Sequence, residues 1–238
     1  MRFLILILLC FGLSLNAQTL NFDTLQNLKI RNVGPANMSG RITSIDVVTN
    51  NPKIIYVGAA SGGVWKSENG GSAWAPVFDD QPTQNIGAVA IQQSNPEVIW
   101  VGTGEGNPRN SMSLGAGIFK STDGGASWRF MGLKATKTIH RIIIDPNDHN
   151  TVYVGAMGDP FTENEHRGLY KTIDGGENWI KILYSNTSSG IADLVMDKSN
   201  PKKIFAALYE HHRTPYSFVS GGKGSGLYVS EDAGGTWN

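Results

Sequence analysis

One phrase recurs four times along the chain and leaves few folds open to it. It reads Ser67-x-Asn69-x-Gly71-x-x-Trp74, Ser121-x-Asp123-x-Gly125-x-x-Trp128, Thr172-x-Asp174-x-Gly176-x-x-Trp179 and Ser230-x-Asp232-x-Gly234-x-x-Trp237. Each copy follows a short apolar-aromatic run. The four tryptophans stand 54, 51 and 58 residues apart. A period near fifty, made of short strand-like runs, marks a propeller or a similar array whose units pack only against their neighbours.

The same order of runs returns in every unit. The first has 42–48, a turn at Asn51-Pro52, then 54–57, 64–66 and 75–78. The second has 88–91, Asn95-Pro96, 98–101, 118–120 and 129–131. The third has 139–144, Asp145-Pro146, 152–154, 169–171 and 180–183. The fourth has 191–196, Asn200-Pro201, 204–206 and 227–229. β-Branched and aromatic runs between Asn-Pro, Asp-Pro and Gly-Gly turns read as strands. Four antiparallel strands make one blade. The expected fold is therefore all-β: a β-propeller of four-stranded antiparallel blades, about four of them present, at 39–83, 84–135, 136–185 and 186–238. The 29 glycines fit a chain made largely of turns.

The phrase itself has a mechanical reading. The Asp or Asn side chain accepts bonds from backbone N–H groups in a hairpin turn, the glycines supply positive φ, and the tryptophan folds back as an apolar plug between sheets. It resembles the Asp-box, or bacterial neuraminidase repeat, of sialidases, of two-propeller xyloglucan-cleaving glycosidases and of the sortilin-type receptor ectodomain. Beyond its leader the chain resembles most the N-terminal part of large exported bacterial proteins with a sortilin-like propeller. The resemblance implies a structural role for every box residue.

Residues 1–17 read as a secretory signal. Arg2 supplies the charge, 3–13 the apolar core, and Leu15-Asn16-Ala17 a cleavage site. The apolar run is too short to span a bilayer. The chain is thus expected to be exported (periplasmic, cell-surface or secreted), with no transmembrane segment after signal removal. Its one cysteine, Cys10, lies inside the leader behind Leu9, which disfavours a lipid anchor and leaves the mature chain without disulfides. Residues 18–38 form a lead-in, within which 28–33 read as a strand suited to pairing with a last blade. After Trp237 only Asn238 follows, where the other units continue into a fourth strand. The propeller is accordingly expected to be incomplete.

Formal net charge is zero and no stretch is strongly basic, which argues against a nucleic-acid partner. A glycan, a peptide or another protein fits better. Blade order puts the boxes at the bottom; the loops between second and third strands share the top with the entries to first strands. Asp123, Asp174 and Asp232 are therefore poor catalytic candidates. The top loop of blade two, 102–117, is the longest and holds Glu105, Asn107, Arg109 and Asn110. An acceptor, amides and a forked cation suit hydroxyl-rich or peptide ligands. Arg41 and Arg167, from flanking blades, are expected to point toward the same rim. The competing expectation is a clasp that merely closes the blade end.

Enzyme signatures fall short. Arg41-Ile42-Thr43 lacks the proline of the sialidase opening Arg-Ile-Pro. The catalytic segment Tyr-Ala-Arg-Thr-Asp-Ile-Gly-Gly of xyloglucan-cleaving enzymes matches 56–63, where Ala60 stands in place of the aspartate. Glycoside hydrolysis generally needs two carboxyl groups flanking the bond. Glu210-His211-His212 has metal-ligand types but no third partner. The glycines of 102–106 do not open a helix, so they form no phosphate cradle. No catalytic residue, metal or cofactor is expected. The expected function is an exported, sortilin-like binding or interaction module with its ligand opposite the boxes. The alternative is a glycoside hydrolase of the Asp-box superfamily acting on polysaccharide, its catalytic carboxylates not identifiable in this chain.

Overall fold

A computed structural model describes residues 41–107 and 109–238. The leader, the lead-in and the strand read at 28–33 lie outside the described residues. Blade one comprises β1 (Ile42–Val47), β2 (Ile55–Ala59), β3 (Gly63–Ser67) and β4 (Ala75–Pro76). Blade two comprises β5 (Ile86–Ile91), β6 (Ile99–Thr103), β7 (Ile118–Ser121) and β8 (Arg129–Phe130). Blade three comprises β9 (Ile139–Ile144), β10 (Val152–Ala156), β11 (Gly168–Thr172) and β12 (Ile180–Leu183). In each the four strands pair in chain order and antiparallel.

Blade four departs from this plan. Its strands are β13 (Ser189–Met196), β14 (Ile204–Arg213), β15 (Phe218–Ser220) and β16 (Gly226–Ser230). The first half of β14 lies between β13 and β16, as a second strand should. Its far half, expected as loop, runs on and pairs with β15. Asn238 exchanges both backbone bonds with Val229, at 2.9 and 3.0 Å. That place belongs to Ala75 opposite Lys66 in blade one and to Arg129 opposite Lys120 in blade two.

The first strands β1, β5, β9 and β13 stand side by side, so the blades fan around a common axis. What joins them is one packing rule used three times. The second strands run past Val57, Val101 and Val154, where the sequence reading ended them, through the glycine that follows. A Cβ at Gly58 would lie 2.5 Å from Ile86 Cγ2; at Gly102, 2.3 Å from Ile139 Cγ2; at Gly155, 2.6 Å from Ile191 Cγ2. Each glycine is a socket for an isoleucine at or near the start of the next inner strand, and all three isoleucines are fully buried. Close packing of this kind leaves no space for even a methyl group.

The box tryptophans repeat the same logic at the outer edge. Trp128 of blade two donates its indole N–H to Val77 O of blade one at 2.6 Å and meets Phe78 edge-on at 5.0 Å. Trp179 of blade three donates to Met131 O of blade two at 2.7 Å and meets Trp100 edge-on. Trp237 packs into the core cluster shared by blades three and four. Trp74 opens the series, and with no earlier blade among the described residues it stays 40% exposed. No helix of the described residues is long and apolar enough to cross a membrane.

Candidate functional site

The box end of the molecule is occupied by its own turn chemistry. The hydroxyls of Ser67, Ser121, Thr172 and Ser230 accept from the N–H groups of Gly71, Gly125, Gly176 and Gly234 at 2.8–3.0 Å. The same hydroxyls donate to Asn69, Asp123, Asp174 and Asp232 at 2.7–3.1 Å. Those side chains in turn accept from the backbone of Ala73, Ser127, Asn178 and Thr236. The Ser127 hydroxyl and N–H, with Ser121, hold Asp123 down to about 2. The Thr172 hydroxyl and Asn178 place Asp174 well below the usual carboxylate range. The Thr236 N–H and hydroxyl hold Asp232 at about 2. Carboxylates so saturated with donors are anchors, not acids.

Three of the four turns are also latched across a seam. Tyr56 Oη donates to Gly124 O at 3.0 Å, and Tyr153 Oη and Lys171 Nζ both reach Ala233 O at 3.0 and 2.9 Å. Lys120 Nζ, lying over the Trp100 ring, reaches Gly175 O at 3.3 Å. A hollow of about 510 Å³ lies at this same end, among Ile91, Ile143, Leu194 and Met196. Its floor is apolar strand side chains, and Gln92, Gln93, Ser94, Asp145, His149 and Lys198 stand around it.

The opposite end carries the loops. In the 102–117 loop, Gly104 N–H donates to Asn85 O at 2.7 Å and Gly115 N–H to Lys137 O at 2.6 Å. The loop is thereby stitched to the entries of blades two and three, and only its tip stands free. Asn107, Arg109 and Asn110 are exposed there. Glu105 is not: it is fully buried, and Arg41 clasps its carboxylate through Nε at 2.7 Å and through Nη2. The expectation that Glu105 faces a ligand is corrected by this pair, which bridges the first two blades. Arg41 remains one-third exposed behind the clasp.

Arg167 is corrected as well. It was expected on the shared rim, but it is fully buried in the seam between blades three and four. Its guanidinium donates to the carbonyls of Ser188 at 3.0 Å, Asp159 at 2.6 Å and Thr162 at 3.3 Å. Burial depresses it to about 10 despite the nearby Asp159 and Glu163. Two histidines share that end. His211 is enclosed beside Arg167, and His140 sits beneath Gly106, where a Cβ would lie 2.4 Å from Nδ1. Burial, then the neighbouring arginine, brings each down to about 4.

Glu210, His211 and His212 diverge. Glu210 accepts from Gly224 N–H at 2.8 Å and Asn186 Nδ2 at 3.1 Å, while His212 Nε2 meets Phe161 O at 2.8 Å. No group of three or more His, Cys, Asp or Glu among the described residues is placed to hold a metal ion. Ala60 is fully buried, its N–H donating to Arg41 O at 2.8 Å. Of the remaining carboxylates at this end, Asp193 is held by Arg141 Nε at 2.7 Å.

What the loops do bring together was not foreseen. Arg213, at the far end of β14, reaches across blade three and donates to Asn110 Oδ1. The rim is thus the exposed Asn107, Arg109 and Asn110 from blade two with the half-buried Arg213 from blade four. A usable signal was present: Thr214-Pro215-Tyr216-Ser217 has proline at the second turn position, with strand-prone Phe218-Val219 beyond it.

No family profile matches the chain. A xyloglucanase from Paenibacillus sp is 24% identical over 240 aligned positions, which cover 90% of this chain and 22% of that protein. Xyloglucanase Xgh74A from Acetivibrio thermocellus is 24% identical over 203 positions, 71% of this chain and 23% of that protein. The chain therefore spans less than a quarter of the length of these curated relatives. Among solved structures, the GH74 enzyme of Niastella koreensis aligns with TM-score 0.61 at 22% identity, over 82% of this chain and 29% of its own. The GH74 xyloglucanase of Xanthomonas campestris aligns with TM-score 0.61 at 17% identity, over 84% and 29%. The structural likeness establishes β-propeller architecture.

Proposed function

We propose that the chain supplies glycan-binding blades of a propeller on the plan of xyloglucan-cleaving enzymes, holding a neutral polysaccharide at the end opposite the box turns. The observation that carries this reading is the alignment with xyloglucanases, one of them along 90% of the chain. The chemistry of the open rim supports it: amides and two arginines, with the nearby carboxylates Glu105 and Asp193 held by Arg41 and Arg141. Such a rim is suited to hydrogen bonds with sugar hydroxyls, while the exposed carboxylates at this end, Glu163 and Glu165, belong to the blade-three loop. The ligand class left open by the repeat alone narrows here to glycan. Export, as read from 1–17, suits a polymer met outside the cell.

A second reading, hydrolysis of the same polymer, is favoured by the relatives' names. It needs a carboxylate pair other than position 60, which holds Ala60. Affinity electrophoresis through xyloglucan, with a reducing-end assay on the same polymer, separates the two. The expected result is retarded migration without release of reducing ends. Unretarded migration in xyloglucan, barley β-glucan and galactomannan alike would overturn the glycan reading. Steady release of reducing ends would replace binding with hydrolysis.

A further inference from the structure

We infer that the far half of blade four is a sugar-stacking arm, with Tyr216 as the ring that meets the face of a pyranose and Phe218 as its companion; the inference rests on the glycan reading above. The arm is an addition to the blade plan. β14 has ten residues, whereas its counterparts β2, β6 and β10 have five each. The extra half, with β15, forms a two-stranded ribbon that extends the blade-four sheet beyond its pairing with β13 and β16.

An isolated two-stranded ribbon is marginal in water, so this one needs braces. Arg213 N–H donates to Pro160 O at 3.0 Å, and His212 Nε2 meets Phe161 O at 2.8 Å, tying the ribbon to blade three. Tyr209 Oη and Ser220 Oγ pair at 2.6 Å across its base. Arg213 fixes its flank to Asn110 of blade two.

The tip is fixed as firmly. Thr214 N–H donates to Ser217 O at 2.9 Å, and Ser217 N–H donates back to Thr214 Oγ1 at 2.9 Å. Their hydroxyls pair at 2.6 Å, and Pro215 presets the backbone between them. The residue this turn displays is Tyr216, 91% exposed. A ring so placed adds nothing to the core. Its apolar surface is available to a ligand, and the turn that carries it is already ordered, which lowers the cost of binding.

Phe218 is 39% exposed, with the Arg213 guanidinium 5.2 Å from the centre of its ring. One face of that ring is thus taken and the other is open. Hydroxyls of Thr214, Ser217 and Ser220 flank the two rings, and Asn107, Arg109 and Asn110 lie along the adjoining rim. Rings edged by hydroxyls and amides suit the C–H face and hydroxyl edge of a sugar. The patch is one ribbon wide, far from the roughly 800 Å² per partner of a standard protein interface.

The test uses the whole protein in affinity electrophoresis against soluble xyloglucan, with thermal melting alongside. Tyr216→Ala is expected to weaken binding about fivefold or more, the order of one lost stacking contact, at unchanged melting temperature. Phe218→Ala should weaken it too, and Tyr216→Phe should bind like the parent, since the ring and not its hydroxyl is used. If Tyr216→Ala binds normally while Arg109→Ala is weakened, the arm is no platform and the glycan reading stands. If the parent protein binds none of the polysaccharides, both fall together.

Discussion

Arg41, at the entry to the first inner strand, grips the carboxylate of Glu105 with Nε 2.7 Å from Oε1, and Glu105 has no exposure at all. A cation from blade one therefore neutralises an anion that blade two could not otherwise bury. Arg41→Ala leaves that anion unpaired and is expected to cost about 3–5 kcal/mol in denaturant unfolding. Replacing both partners together, Arg41→Met with Glu105→Met, should recover most of the loss. Arg109→Ala, at an exposed position of the same loop, should shift stability by less than about 0.5 kcal/mol. A near-silent Arg41→Ala would mean that water reaches the carboxylate.

The tryptophans offer a comparison within one protein. Trp128 is lodged on Phe78 and bonded to Val77 O, while Trp74 has no such seat among the described residues. Trp128→Ala should destabilise by about 3–5 kcal/mol and Trp74→Ala by about 1 kcal/mol or less. Equal losses in chemical denaturation would show that the seat across the seam is not what matters.

Two buried histidines set an acid limb. His140 and His211 are held neutral in the fold, down to about 4, against about 6.5 in the unfolded chain. Between those values the unfolded state binds more protons, so stability must rise with pH there and fall as pH drops from about 6.5 to about 4. Asp123 and Asp232 extend the decline from about 4 to about 2, because their folded carboxylates resist protonation. Melting temperatures from pH 7.5 to 4.5 should fall steadily in the parent. The fall should be shallower in His211→Gln, and an identical slope would exclude His211 as a cause.

In three box turns the residue after Asp or Asn is glycine with φ near +70°, at Gly70, Gly124 and Gly175; in the fourth it is Ala233 at φ 60°. An L-residue there carries strain that glycine does not. Ala233→Gly should stabilise the protein by about 0.5–1 kcal/mol, the relief exceeding the added freedom of the unfolded chain. Loss of stability on this change would overturn the strain argument.

Blade number, strand order and the end at which the boxes lie were all legible, because each depends on local turn chemistry and a repeated alternation of apolar runs. The places where reading failed share one cause. Gly58, Gly102 and Gly155 looked like strand ends because nothing near them in sequence reveals an isoleucine thirty or so residues away. His211, His212 and Arg213 looked like loop because their strand conformation is held by Pro160, Phe161 and Ser220, not by their own propensities. Arg167 and Glu105 looked like rim residues because charge favours the surface. Their burial is decided by three carbonyls and by Arg41, partners that no local pattern announces.

The seating of Trp128 and Trp179 on the preceding blade also says where the chain can be cut and rejoined. A segment excised along its sheet boundaries carries a plug made for one neighbour and a socket made for another. The stretch from 75 to 128 carries both halves of one joint, Val77 and Trp128. The stretch from 129 to 179 carries Met131 and Trp179. A duplication or exchange with breakpoints just after the tryptophans moves plug and socket together. The arc can then gain or lose a member without opening a seam.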